Sequence, residues 1–256
     1  MVESSLTQCK LVLLGNGSVG KTSLCARFKD DGFHRVYKQT IGVDFYERRM
    51  KIREQSIVMQ VWDVGGQSVA SGMLPQYIFG AAVLFLCYDV TDTNSFADAQ
   101  DWLGLANKTL DKVCENEEDK VIKDGANSIT SSGKTPRPAI FLVGNKVDLE
   151  HLRRVTEEQH EGFISRNSLS GGFFMSARSG ENVLSSFYQA AASQLGIKLD
   201  EAEVNSLQRI LAVDQGAGEG DSDTVRTDFA DEIEKQDKEA MERRRKQETG
   251  MCCQVL

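Results

Sequence analysis

The chain has 256 residues, 40% of them hydrophobic and 27% charged, with a formal net charge of −8. This is the composition of a globular domain with appendages; no apolar run reaches the roughly 18 residues of a membrane span, and an acidic chain is not a general nucleic-acid binder. The first residues carry no basic region before an apolar core, and Val2 follows the initiator Met, so neither a signal peptide nor N-myristoylation is expected.

In chain order, residues 8–14 (QCKLVLL) read as a buried strand, and GNGSVGKT at 15–22 follows at once. The pattern GxxxxGK[ST] between a strand and a helix starting near Lys21 is a phosphate loop. Its backbone N–H groups and the helix N-terminus hold phosphates. Gly15, Gly17 and Gly20 permit the tight backbone, Lys21 would bridge the β- and γ-phosphates, and the Thr22 hydroxyl would bind Mg2+. Residues 30–42 form a polar stretch, from which Thr40 can bring a second hydroxyl to the metal. A strand over 43–52 turns back as a hairpin into 56–62. At its end stands DVGGQ (63–67): Asp63 to hold Mg2+ through water, the Gly66 N–H to meet a γ-phosphate, and Gln67 to orient the attacking water.

Further strands are expected over 83–89 and 139–144, and helices over about 94–113 and 180–196. Alternating strands and helices imply a mostly parallel sheet covered on both faces. Residues 114–137 interrupt the rhythm. They are polar, contain Gly and Ser, and read as an inserted surface loop. GNKVD at 144–148 follows the strand 139–144 and chooses the base. A carboxylate at Asp148 accepts from N1–H and the exocyclic amine of guanine, a donor pair that adenine lacks. Asn145 can bond base and phosphate loop, and the Lys146 stem can lie over the ring.

After Ile197 the chain is too polar for a second core. Residues 200–213 allow one more helix, and the rest reads as a tether. The excess acid sits in the tail, with 9 basic and 15 acidic residues from 198 to 256, and in the insertion, with 4 and 6 over 111–136. Cys9, Cys25, Cys87 and Cys114 have no metal-ligand spacing and read as buried free thiols. Cys252 and Cys253 differ. Cys253 opens a terminal C-a-a-X box whose Leu favours geranylgeranyl. Cys252 offers a second lipid site, and Arg243–Lys246 a basic run for an anionic leaflet.

GNGSVGKT, Thr40, DVGGQ, NKVD and Ser176-Ala177-Arg178 recur in the order and spacing of the Ras superfamily of small GTPases, over about 8–197. IGVDF (41–45), LCYDVT (86–91) and YIFGA (77–81) resemble Rab segments. YKQTIGVDF, WDVGGQ, GNKVDLEH and LGIKLDEAE together resemble the divergent Rab subfamily numbered twenty-eight. The resemblance implies a three-layer α/β P-loop domain with a six-stranded, mostly parallel sheet and an inserted loop at 114–137. A hypervariable tail (198–256) then ends in the prenylation motif.

It also implies GTP/GDP and Mg2+ as ligands, with Ser18, Val19 and Ser23 in the phosphate site. Phe33 would pack edge-on against guanine, Tyr37 would cover the phosphates, and the backbone at Ser176, Ala177 and Arg178 would meet the guanine oxygen. Ile41, Phe45, Trp62 and Tyr77 match the surface read by effectors. Expected partners are effectors, an exchange factor, a GTPase-activating protein and the prenylation machinery. The role implied is a membrane-attached switch in vesicle trafficking, in the cytosol and on the cytoplasmic face of endosomal or ciliary membranes.

Val64, Gly65 and Ser68 stand where most Rabs carry Thr, Ala and Glu, and Arg178 where the family carries Lys. WDVGGQ is the form of Arf-like GTPases, whose N-terminal amphipathic helix has no counterpart here. Gly65 and Ser68 raise the alternative of a non-hydrolysing GTP-binding scaffold. Asp148 argues against a P-loop kinase or ATPase.

Overall fold

The computed structural model describes residues 7–33, 38–67, 72–123, 137–200 and 202–204, with the backbone alone for 113–123. Tyr37, Ser68, Cys252, Cys253 and the basic run 243–246 lie outside the described residues, as do 124–136 and nearly all of the tail.

The strands are β1 (Thr7–Leu14), β2 (Val43–Ile52), β3 (Gln55–Val64), β4 (Val83–Asp89), β5 (Ala139–Asn145) and β6 (Gly171–Phe174). They form one sheet in the order β2-β3-β1-β4-β5-β6. β2 and β3 pair antiparallel as the expected hairpin, and every other pairing is parallel. The helices are α1 (Lys21–Asp30), α2 (Leu74–Ile78), α3 (Thr93–Lys123), α4 (Glu157–Asn167) and α5 (Val183–Gln194), with a 3-10 turn at Val147–Leu152.

Strand alternation divides the core. Leu11 and Leu13 of β1 face a layer with Phe28 of α1 and Phe187 of α5, whose rings stack at 4.2 Å. Val12 and Leu14 face the other layer, with Tyr77 of α2, Trp102 of α3 and Phe163 of α4. Strands buried on both faces read as continuous apolar runs, which is why β1, β4 and β5 are plain in the sequence. Each fully buried Leu, Val or Phe contributes about 1.5–3 kcal/mol by leaving water. The parallel strands bring their C-terminal ends, at Leu14, Val64, Asp89 and Asn145, to one edge of the sheet, where ligands bind in such folds.

Two expectations need correction. The insertion expected as a loop from 114 begins as helix, because α3 continues to Lys123. The segment CENEEDKVIK offers no apolar stripe, but its Glu and Lys are good helix formers extending a helix already nucleated. The last helix starts at Val183 rather than 180, since Gly180 and Asn182 take positive φ (83° and 58°).

Beyond α5, Ile197 and Leu199 pack against the first core layer. Arg53, in the β2–β3 turn, donates to the Lys198 carbonyl and to both oxygens of Glu203 at 3.0–3.2 Å. Glu203 and Asp200 hydrogen-bond one another's backbone N–H, starting a helical turn at 202–204.

Candidate functional site

A cleft of about 980 Å³ opens at the strand ends. Its floor is the loop between β1 and α1. Gly20 takes φ 98°, and a Cβ there would lie 2.3 Å from the Asn145 amide nitrogen, so only glycine fits. Lys21 is buried, and its Nζ donates to the Gly15 and Asn16 carbonyls at 2.7 and 2.8 Å. Burial lowers its pKa, while the nearby Asp63 opposes the shift. The cation is thus held at the loop, where an incoming polyphosphate supplies the counter-charge.

Thr22, Thr40 and Asp63 arrive from three segments and meet. Thr22 Oγ1 donates to Asp63 Oδ2 at 2.5 Å and lies 2.8 Å from Thr40 Oγ1. Thr40 Oγ1 is 3.3 Å from the same carboxylate oxygen. Asp63 is wholly buried, which raises its pKa against the Thr22 bond and Lys21. Its Oδ1 is buried without a hydrogen-bond partner among the described residues. An orphaned carboxylate oxygen beside two hydroxyls suits a hard, oxygen-binding cation such as Mg2+. Among the described residues no group of three or more His, Cys, Asp and Glu could hold a metal by itself, so the ligand set needs phosphate oxygens to complete it.

The loops flanking this point are tied. The Gly65 N–H donates to Gly42 O at 2.8 Å, carrying the β2–β3 ladder one pair beyond the hairpin. Gly66 packs on the phosphate loop so closely that a Cβ would sit 2.2 Å from Gly17 N. Gln67 is exposed and lines the cleft.

At the other end, Asn145 is buried and uses both ends of its amide. Nδ2 donates to Val19 O at 2.8 Å, and Oδ1 accepts from Ala177 N–H at 3.1 Å. Lys146 has φ 69°, and its Nζ meets Asp89 Oδ2 at 2.6 Å, which anchors the stem at the cleft wall. Asp148 Oδ1 accepts from the buried Ser176 hydroxyl at 2.6 Å. One Arg178 Nη lies 3.9 Å from Oδ2, and Ala177 and Arg178 line the cleft with Phe33. Ser176 works from behind Asp148 and is not itself a wall of the cleft.

Of the four residues expected to form an effector surface, Ile41 is exposed and Phe45 half-buried. Phe45 and Trp62 are a cross-strand pair with rings 4.4 Å apart. Trp62 also carries Lys10 Nζ 3.5 Å from its ring centre. Tyr77 is a correction. It is fully buried in this conformation, because the short helix α2 presses it into the second core layer. The exposed aromatic of that segment is Phe79.

Several contributing residues carry no motif. Asn16 donates to Asp98 Oδ2 at 2.6 Å and accepts from Trp102 Nε1 at 2.8 Å, so α3 holds the phosphate loop. Asp89 holds Lys146, and Arg27 reaches the 177–178 carbonyls. No local pattern marks them, since each acts on a partner at least 57 residues away, as with Asp89 and Lys146. Cys9, Cys25 and Cys87 are free and buried, as expected, and burial pushes Cys87 up to about 12; the side chain of Cys114, of which the same was expected, lies outside the described residues.

A model of the Ras family matches residues 10–195. The Ras-related protein Rab-28 of Caenorhabditis elegans is 39% identical over 198 residues, covering 77% of this chain and 71% of that protein. With its six-stranded sheet and a cleft at the strand ends, this chain belongs to the Ras family: it is a Rab-like small GTPase, which binds GTP and GDP with Mg2+ and hydrolyses GTP.

Proposed function

We propose that the chain is a membrane-attached switch in vesicle trafficking, whose output is the population of an ordered conformation rather than its product. Lys21, with the backbone from Gly17 to Gly20 and the Ser23 segment, binds the phosphates. Thr22, Thr40 and Asp63 would hold Mg2+, which would neutralise phosphate charge when bound. Asp148 selects guanine, Asn145 braces the loops around it, and Lys146 and Phe33 flank the ring. Thr40 and the Gly66 N–H sense the γ-phosphate and order the segments 33–42 and 64–78. Gln67 orients the water whose attack releases them. Tyr37 covers the phosphates from the first of these segments.

The observation that carries this reading is the convergence of Thr22, Thr40 and Asp63 beside Lys21. Thr40 precedes β2 and Asp63 is the last residue but one of β3, so a metal and phosphate held there would draw both segments together. Ile41, Phe45 and the rim of Trp62 then form the face offered to effectors, and Tyr77 joins it only if α2 moves. Exchange and activating proteins set the balance.

Cys253, with Cys252 as a second site, carries prenyl groups added by the prenylation machinery, and Arg243–Lys246 adds attraction to anionic lipid. The resemblance to Rab-28 supports a location in the cytosol and on the cytoplasmic face of endosomal or ciliary membranes. A mass spectrum of the native C-terminus tests the anchor: one or two geranylgeranyl adducts are expected, and an unmodified Cys252-Cys253 end overturns it. Imaging of a Gln67→Leu variant tests the compartment: enrichment on endosomal or ciliary membranes is expected, and a wholly cytosolic distribution contradicts it.

A further inference from the structure

Arg27 lies in the last turn of α1, its side chain only 13% exposed. It donates from Nε to Ala177 O at 2.9 Å and from one terminal nitrogen to Arg178 O at 2.7 Å, on a loop 150 residues along the chain. The other terminal nitrogen donates to Asp31 O at 2.6 Å and Asp31 Oδ1 at 3.0 Å. Asp31 caps α1 in the left-handed region (φ 53°), which turns its oxygens back onto the arginine. The guanidinium is planar, so fixing one arm aims the other two donors.

The rest of the loop is held internally. Ser176 N–H donates to Glu181 O, Gly180 N–H to Ser176 O and Ser179 N–H to the Ser176 hydroxyl, which leaves the 177 and 178 carbonyls to Arg27. A trans peptide unit is planar with its N–H opposite its C=O. Drawing the Ala177 carbonyl toward α1 therefore turns the Arg178 N–H to the opposite side, away from that helix. Asp148, bonded to Ser176 at the root of this loop, is the group assigned to N1–H and the exocyclic amine of guanine. The guanine oxygen is on the carbon next to N1, so it falls on the side of residues 177 and 178.

We propose that Arg27 is a positioning residue for base recognition: by gripping the Ala177 and Arg178 carbonyls it presents the Arg178 N–H to the guanine oxygen. α1 then sets both ends of the nucleotide, with Lys21 and Thr22 in its first turn and Arg27 in its last. This rests on the assignment of Asp148 to guanine.

The test is competition of unlabelled nucleotides against fluorescent GDP on the full chain with Mg2+, wild type against Arg27→Met. Three competitors separate the contacts: GDP, 6-thio-GDP, in which a poor acceptor replaces the oxygen, and IDP, which lacks the amine facing Asp148. Wild type is expected to prefer GDP over 6-thio-GDP by roughly tenfold, the value of one well-aimed hydrogen bond. In Arg27→Met that preference falls to about twofold, while the preference for GDP over IDP is kept.

An unchanged GDP to 6-thio-GDP ratio overturns the proposal and leaves the Asp148 assignment standing. Equal weakening toward all three nucleotides also overturns it, since that is loss of packing alone. A wild type that binds ADP as well as GDP removes both. Arg27→Lys keeps the stem and charge but offers one donor point instead of a fork. It is expected to lose the same ratio, and it serves if the Met variant does not fold. Retention of the ratio by a folded Lys variant refutes the role of the fork.

Discussion

Replacing Asn145 by Ala removes a side chain that joins the phosphate loop to the base loop. Two main-chain groups then lose their partners, Val19 O at 2.8 Å and Ala177 N–H at 3.1 Å, at a residue that is 1% exposed. A buried group left unsatisfied costs about 1–3 kcal/mol, and partial relaxation places the sum for two near the lower half of their combined range, about 2–4 kcal/mol. Part of this appears as lost stability. The part recovered by ordering both loops around nucleotide appears as affinity. At about 1.4 kcal/mol per factor of ten, GDP should dissociate about 10- to 100-fold faster.

Asn145→Asp separates the two ties. It keeps an acceptor for Ala177 N–H but sets an oxygen against Val19 O, so it should release GDP at least as fast as the Ala variant. The assay is displacement of fluorescent GDP in Mg2+, with a thermal midpoint for each variant. A folded Asn145→Ala protein that releases GDP within twofold of wild type would refute the bracing role.

Three further predictions follow from named contacts. His160 is buried against Phe174 and bonded to Tyr88 Oη at 2.9 Å, and burial lowers its pKa from 6.5 to about 4. The fold thus favours the neutral ring. This stability is present above pH 6.5 and is lost as pH falls toward 4, about 2 kcal/mol between pH 7.5 and 5. Urea midpoints should show this drop and should flatten in His160→Gln; a parallel drop in that variant would contradict it. Gly66→Ala places a methyl against Gly17 N, so GTP hydrolysis should fall at least about tenfold while GDP binding stays within about threefold; wild-type turnover in single-turnover assays would oppose this. The Arg53–Glu203 contact is exposed and contributes little to stability. Arg53→Ala should leave the unfolding midpoint unchanged but speed hydrogen exchange over 198–204, and unchanged exchange would show that the tail root is held otherwise.

The strands β1, β4 and β5 are legible because burial on both faces writes them as apolar runs, and the phosphate loop and NKVD because their chemistry is local. β6 is GGFF, four residues with two glycines and no period to read. α4 has a readable start, since Thr156 and Gln159 form a capping box that its weak apolar stripe conceals. The polar end of α3 was hidden because helix propensity acts there without an apolar face. The bracing residues Arg27, Asp89 and Asp98 and the hydrogen-bonding role of Trp102 are set by distant backbone or side-chain partners, which sequence spacing does not encode. Burial of Tyr77 depends on how α2 packs, a tertiary property of a five-residue helix.

The central claim is a guanine-selective switch built around Asp148, and base selectivity tests it most directly. Equilibrium competition among GTP, ATP and xanthosine triphosphate should show wild type preferring GTP over ATP by at least about a hundredfold. In Asp148→Asn the preference should pass to xanthosine triphosphate, whose base offers an acceptor where guanine offers an amine. A wild type that binds ATP as tightly as GTP, or an Asn variant that keeps its preference for GTP, would contradict the account.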